Sequence, residues 1–176
     1  MWYVIQIQAG KEKQIIESIK RHVAEVGKSH LVKECFSPEY EMMIRFRGEW
    51  QKRMRPMLPG YVIVDTQDVD ELHRTLKGLP EFTKLLGTSD GFVPLNKNEV
   101  AWISAIVQRG RDGSRTIEMS EGVMEGDEII ILNGPLINHT GWIKSVNRHK
   151  RLAYLELEMF GRTIQTKVGL NIVSRH

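Results

Sequence analysis

A single cysteine, Cys35, occurs among the 176 residues. One thiol cannot close an intramolecular disulfide and has no second cysteine with which to share a zinc ion. A disulfide-stapled scaffold and a cysteine zinc site are therefore excluded, and a reducing, cytoplasmic setting fits. Long hydrophobic runs are missing too: no stretch reaches the roughly 18 apolar residues of a membrane span. The chain starts directly with Trp2-Tyr3-Val4-Ile5-Gln6-Ile7. No basic region precedes this apolar stretch, which reads as a strand and not as a signal peptide. Basic and acidic residues nearly balance, 25 against 22, for a formal net charge of only +3, so global electrostatics does not announce a nucleic-acid binder. The histidines at 22, 30, 73, 139, 149 and 176 lack the His-x-x-x-His or carboxylate spacing of a metal site. A phosphate-cradling glycine loop and a Gly-x-Ser-x-Gly elbow are also missing. Cys35 falls in a predicted strand, where an inert buried thiol is the expectation. The chain is expected to be no enzyme, with no catalytic residues, metal or cofactor.

What is present is a core and a pattern. Hydrophobic residues make up 41% of the chain. Residues 2–8 are apolar on both faces, as in a central strand, and Gly10 breaks them. Lys11–Val26 carries Ile15, Ile16, Ile19, Val23 and Val26 at helical spacing, with Gly27 placed as a stop. Leu31–Phe36 and Glu41–Arg47 read as strands, Gly48–Arg55 as a basic loop and Tyr61–Val64 as a strong strand. Asp68 with Glu71 opens a helix striped by Val69, Leu72 and Leu76 and ended by Gly78. A strand over Phe82–Leu86 and a helix over Pro94–Gln108, capped by Asn96 with Glu99, complete residues 1–109. That order predicts one α+β domain, a mainly antiparallel sheet with packed helices. Gly110–Val123 is poor in apolar residues and rich in Gly and Ser, which predicts a linker over 110–123. Strands follow at about 127–132, 140–146, 152–159, 162–168 and 170–173. Five short strands without a helix predict a small all-β barrel over 124–176.

The organising stretch is Glu125–Arg151. Ile129–Leu132 is short enough for a buried strand, and Asn133-Gly134-Pro135 punctuates it as a turn. Gly141 is expected where backbone passes close to a neighbour or bulges. A strand over Trp142–Val146 then leads to the turn Asn147-Arg148-His149-Lys150-Arg151. Hairpin turns are exposed, so four adjacent basic or near-basic side chains should project into solvent, where a nucleic-acid phosphate is the expected partner. A second basic cluster runs from Arg45 to Arg55, with Arg47, Lys52 and Arg53 against Glu49 alone. Two local patches on a nearly balanced chain suggest directed contacts.

The acidic Gly turn, Asn133-Gly134-Pro135, Gly141 and Phe160-Gly161-Arg162 resemble the KOW motif of NusG-type transcription factors, a strand–loop–strand unit of SH3-like barrels. Trp2-Tyr3-Val4, Gly10-Lys11-Glu12-Lys13, Leu58-Pro59-Gly60-Tyr61-Val62, Leu86-Gly87 and Glu99-Val100 resemble the NusG N-terminal (NGN) domain. The likeness spans essentially the whole chain. The turn departs from the housekeeping pattern, which has an acidic residue there, and is more similar to the specialised paralogue LoaP, an antiterminator of long biosynthetic operons.

The resemblance implies that the NGN domain docks on the β′ clamp helices of RNA polymerase through an apolar depression, carried onto Tyr3, Met57, Leu58, Pro59 and Tyr61. Met57 and Leu58 stand where the family has aromatics. It further implies that the KOW domain binds a nascent RNA stem-loop. Arg148, Lys150 and Arg151 are suited to phosphate rails, and arginine adds a planar fork. Asn147 and His149 offer hydrogen bonds to base edges. Lys144 should leave the same end of the barrel, and the loop holding Asn138 and His139 should neighbour it. Arg162 and Lys167 are second-rank candidates. Lys11, Lys20, Arg21, Arg53 and Arg55 form a candidate surface for nontemplate DNA. A monomer located in the bacterial cytoplasm, at the nucleoid during transcription, is expected. The alternative is a housekeeping NusG factor whose KOW domain binds Rho or ribosomal protein S10. A KOW ribosomal protein would leave residues 1–109 unexplained.

Overall fold

Period-two alternation builds the sheets and amphipathic stripes build the helices in the structure, a computed structural model that describes residues 1–173. The first elements are β1 (Trp2–Gln6), α1 (Glu12–Glu25), β2 (Glu34–Phe36), β3 (Glu39–Phe46), β4 (Glu49–Pro56) and β5 (Tyr61–Asp65). Next come α2 (Val69–Leu76), β6 (Lys84–Leu85), β7 (Gly87–Thr88), β8 (Gly91–Phe92), α3 (Lys97–Ile106) and β9 (Gln108–Arg109). The last are β10 (Arg115–Ile117), β11 (Ser120–Glu125), β12 (Glu128–Asn133), β13 (Ile143–Asn147), β14 (Leu152–Met159) and β15 (Arg162–Ile172). The α+β class is as expected. Two compact units emerge: Met1–Ser37 with Leu58–Val100, and Pro38–Met57 with the residues from Ala101 onward.

In the first unit β1 is central, in the order β2-β5-β1-β6 with antiparallel neighbours. Tyr3, Ile5 and Ile7 alternate onto one face and join Val62 and Val64 of β5. Ile15, Ile19 and Val23 of α1 and Leu72 and Leu76 of α2 cover that face. The opposite positions Val4 and Ile63 are buried as well, which explains why β1 reads as apolar on both faces. Val26, expected in the stripe of α1, is the C-cap residue and is exposed. The Asp68 carboxylate accepts from the Glu71 N–H at 3.1 Å and starts α2. Asn96 and Glu99 form a reciprocal box: each side chain accepts from the other's backbone N–H, at 2.8 and 2.9 Å.

Glu12 shows how the Pro-Gly turn is held. Its carboxylate is buried and Oε1 accepts from the N–H groups of Gly10 and Gly60, both at 3.0 Å. The Ile7 N–H donates to the Gly60 carbonyl at 2.8 Å. A buried carboxylate is tolerated because two backbone donors replace its water.

The second unit contains two sheets, β4-β3-β10-β9 and β12-β11-β15-β14-β13. Here two expectations are corrected. Gly48–Arg55 is not a loop: Glu49–Pro56 is a strand paired antiparallel with β3, Phe46 opposite Glu49 through Glu39 opposite Pro56. Arg47 and Gly48 both take positive φ, 52° and 81°, and close that hairpin in two residues. The stretch 110–123 is not a free linker either. β10 pairs in parallel with β3, and Ser120–Glu125 is strand β11, paired with β12 and β15. Few apolar residues were needed, because Ile117 and Val123 are each buried and backbone pairing does the rest.

The middle of the five-stranded sheet is one long strand, β15, where the sequence suggested two. Leu155, Leu157 and Met159 of β14 point inward while Glu158 is exposed, as their alternation predicts. Ile129, Ile130 and Ile131 are only half-buried and Leu132 is exposed. The expectation of a buried strand fails there because β12 lies at the sheet edge, paired on one side only.

Close approach falls on a different glycine from the one expected. A Cβ on Gly141 would meet nothing within 4 Å. A Cβ on Gly169, within β15, would lie 2.3 Å from the Glu41 carbonyl oxygen and 2.5 Å from Met119 Cγ. Gly169→Ala should therefore lower stability by about 1–3 kcal/mol through overpacking, whereas Gly141→Ala should stay within about 0.5 kcal/mol. Thermal unfolding followed by circular dichroism checks this; equal midpoints for the two variants would contradict the packing described.

Candidate nucleic-acid interface

The turn between β13 and β14 is built from its own side chains. Asn147 faces Leu152 across the ladder, and its Oδ1 accepts from the Lys150 N–H at 2.9 Å. The Arg151 N–H donates to the Arg148 carbonyl at 3.3 Å, and Arg151 takes φ +56°. Its carbonyl accepts from the Leu170 N–H at 2.9 Å, tying the turn to β15. Arg148, His149 and Lys150 are exposed, as expected.

Arg151 behaves differently. It is half-buried, and its guanidinium carbon lies 4.0 Å from the centroid of the Trp50 ring on β4. Arg45, directly opposite Trp50 in the hairpin, places its guanidinium carbon 5.8 Å from the same ring. Trp50 and Arg45 were missed as site residues because the strand that carries Trp50 read as a loop. The available signal was Trp50 itself, an aromatic inside the basic run.

The remaining residues do not gather at one place. Lys144 is exposed and pairs with Glu156 Oε1 at 3.7 Å. Asn138 is exposed at φ +64°, and His139 stacks on Trp142 with centroids 4.0 Å apart and planes at 12°. These two precede the first residue of β13, whereas the basic turn follows its last. Five strand residues separate them, about 13 Å at the usual rise. The loop is not a neighbour of the turn, because the two flank opposite ends of β13. Arg162 and Lys167 are both exposed on β15.

Tyr3, Met57 and Leu58 are buried. Of that set Pro59 is exposed and Tyr61 half-buried, at the turn that Glu12 pins. Lys11, Lys20 and Arg21 are exposed at and along α1. Arg53 is half-buried, and its Nη1 and Nη2 donate to the Lys52 carbonyl at 3.1 Å and Gln51 Oε1 at 2.6 Å. Arg55 is exposed, with Nη1 donating to the Met54 carbonyl at 3.0 Å.

The first 104 residues match the family model described as transcription termination factor nusG. The chain belongs to the NusG family. Over 175 residues it is 25% identical to the transcription termination/antitermination protein NusG of Vibrio cholerae, covering 99% of this chain and 94% of that one. The corresponding Escherichia coli protein is 25% identical, with 99% and 95% covered. A solved structure of Thermotoga maritima NusG superposes with a TM-score of 0.62 at 19% identity, covering 97% of this chain and 93% of that one; the fold is NusG-like. This NusG-family chain is thus a transcription termination/antitermination factor and not an enzyme. Among the described residues no helix is long and apolar enough to cross a membrane.

Cys35 is buried in the first unit, and burial pushes its thiol from 9.0 up to about 12, against a smaller opposing pull from Lys20. Folding raises this pKa, so the neutral thiol adds stability that is complete below pH 9.0 and is lost as pH climbs towards about 12. At about pH 8 a thiol reagent should label the unfolded chain and leave the native one unmodified. Labelling of native protein at the unfolded rate would contradict the burial.

Proposed function

We propose that this NusG-family chain is an elongation and antitermination factor of the LoaP kind, which docks on RNA polymerase and grips a nascent RNA stem-loop with the turn Asn147–Arg151. The polymerase-docking module in this reading is residues 1–109 and the RNA-binding module residues 124–176. The observation that carries it is the turn: Arg148, His149 and Lys150 are exposed on a frame fixed by Asn147 and Arg151, with no acidic residue between 147 and 151. An RNA stem offers two phosphate rails and a shallow minor groove. A projecting turn with an arginine fork and a lysine point charge suits the rails, while His149 supplies hydrogen bonds to base edges. On the polymerase side, exposed Pro59 and half-buried Tyr61 form the contact with the β′ clamp helices, held in shape by Glu12. Docking there bridges the cleft and suppresses pausing by binding alone. Exposed Lys11, Lys20 and Arg21 suit the nontemplate DNA strand.

A second reading, the housekeeping factor with Rho or ribosomal protein S10 on its KOW domain, is favoured by one observation. Leu132 on the edge strand β12 and Ile137 just beyond it are each 47% exposed, beside half-buried Ile129 and Ile131. An apolar edge of that kind suits a protein partner.

The two readings separate in a mobility-shift titration with an RNA stem-loop. Arg148→Ala and Lys150→Ala should each weaken binding and reduce its salt slope by about one for every phosphate left without its cation. Arg151→Ala should act differently, by loosening the turn, because its guanidinium is already engaged with Trp50. Unchanged affinity and slope in the first two variants, with capture of a protein through β12, would decide for the housekeeping reading.

A further inference from the structure

We infer that the cleft beside the basic turn, between the β3–β4 hairpin and strands β14 and β15, takes one unpaired nucleotide of the RNA; this rests on the RNA reading above. The cleft has a volume of about 400 Å³, within the range of pockets that enclose small ligands. Trp50 and Tyr154 are its aromatic lining residues, and Met42 and Leu152 are among the apolar ones. Arg45, Lys150 and Lys167 line it as cations, and none of its lining residues is acidic.

Those features select a ligand class. Flat aromatic surfaces favour a planar π system, and unopposed cations favour an anion, so a base carrying its own phosphate satisfies both. Arg45 lies 5.8 Å from the Trp50 centroid and Arg151 lies 4.0 Å away. Arg45 is therefore the looser contact, and a base that displaces it over the indole leaves its guanidinium beside the incoming phosphate. Lys150 belongs to both the turn and the cleft lining. A stem gripped by the turn thus brings its bulged or flanking nucleotide to the opening. Unpaired bases are also where RNA displays sequence, so the cleft supplies discrimination that a phosphate grip alone lacks.

The test uses the full chain and a short RNA stem-loop, made once fully paired and once with a single bulged uridine. The bulge should tighten binding about tenfold, the value of one stacked base. Trp50→Ala, which also frees Arg151 and so weakens the paired stem, should bring the two RNAs to the same affinity, and Lys167→Gln, an exposed position, should reduce the gain from the bulge without a packing change. Arg148→Ala, outside the cleft, should weaken both RNAs equally. A photoreactive uridine at the bulge should crosslink to Trp50 or Tyr154. Equal affinity for the two RNAs with no crosslink to either aromatic overturns the cleft while leaving the turn's grip standing. If neither stem-loop binds, the stem-gripping reading fails and a photoreactive single-stranded oligouridine decides the cleft: label on Trp50 or Tyr154 supports it, label elsewhere overturns it. Saturation by free uridine monophosphate, with no gain from the bulge, overturns the assignment to RNA.

Discussion

The guanidinium of Arg151 lying on the Trp50 ring is the contact on which the basic turn depends. A non-glycine residue at φ +56° carries a conformational cost of about 1–2 kcal/mol. The cation–π contact contributes about 0.5–2 kcal/mol in return, and the Leu170 N–H bonded to the Arg151 carbonyl contributes about 1 kcal/mol more. Arginine is suited to this position because its planar, weakly hydrated head stacks where an ammonium would hold its water. With Arg151 spent on structure, its neighbours Arg148, His149 and Lys150 are left facing solvent on a fixed frame.

The rest of the charge follows the same division between frame and surface. Lys28 and Arg74 both engage Glu71, which holds that carboxyl below its usual range, and Lys52 pairs with Glu41 at 3.4 Å. Such exposed pairs add little stability, because solvent screens them and ordering two long side chains opposes them. Their consequence here is electrostatic: they neutralise scattered charges locally, so that a chain of net charge +3 still carries an uncancelled cluster at the turn. Glu12 makes the same point on the other unit, where one buried carboxylate fixes the backbone on which Pro59 and Tyr61 stand.

Much of the first unit was legible in the sequence because its signals are local. The stripe Ile15–Ile19–Val23, the Asp68 cap and the Asn96–Glu99 box each act within a few residues, and each was found at its predicted place. The turn was legible for the same reason, since a run of bases flanked by strands must project. What escaped notice depends on pairing between distant segments. Glu49–Pro56 carries too many charges to read as a strand and becomes one only against β3. Arg115–Ile117 needs the same strand to receive it. The burial of Met57 and Leu58 could not be read from a Pro-Gly turn that looks like a surface feature.

The central claim, that the Asn147–Arg151 turn is the RNA-contacting surface, is tested most directly by backbone amide chemical shifts recorded while an RNA stem-loop is titrated into the isotopically labelled chain. The account predicts the largest changes at Arg148, His149 and Lys150, spreading to Trp50 on the facing hairpin. Changes confined to Ile129–Leu132, or no change at saturating RNA, would contradict it.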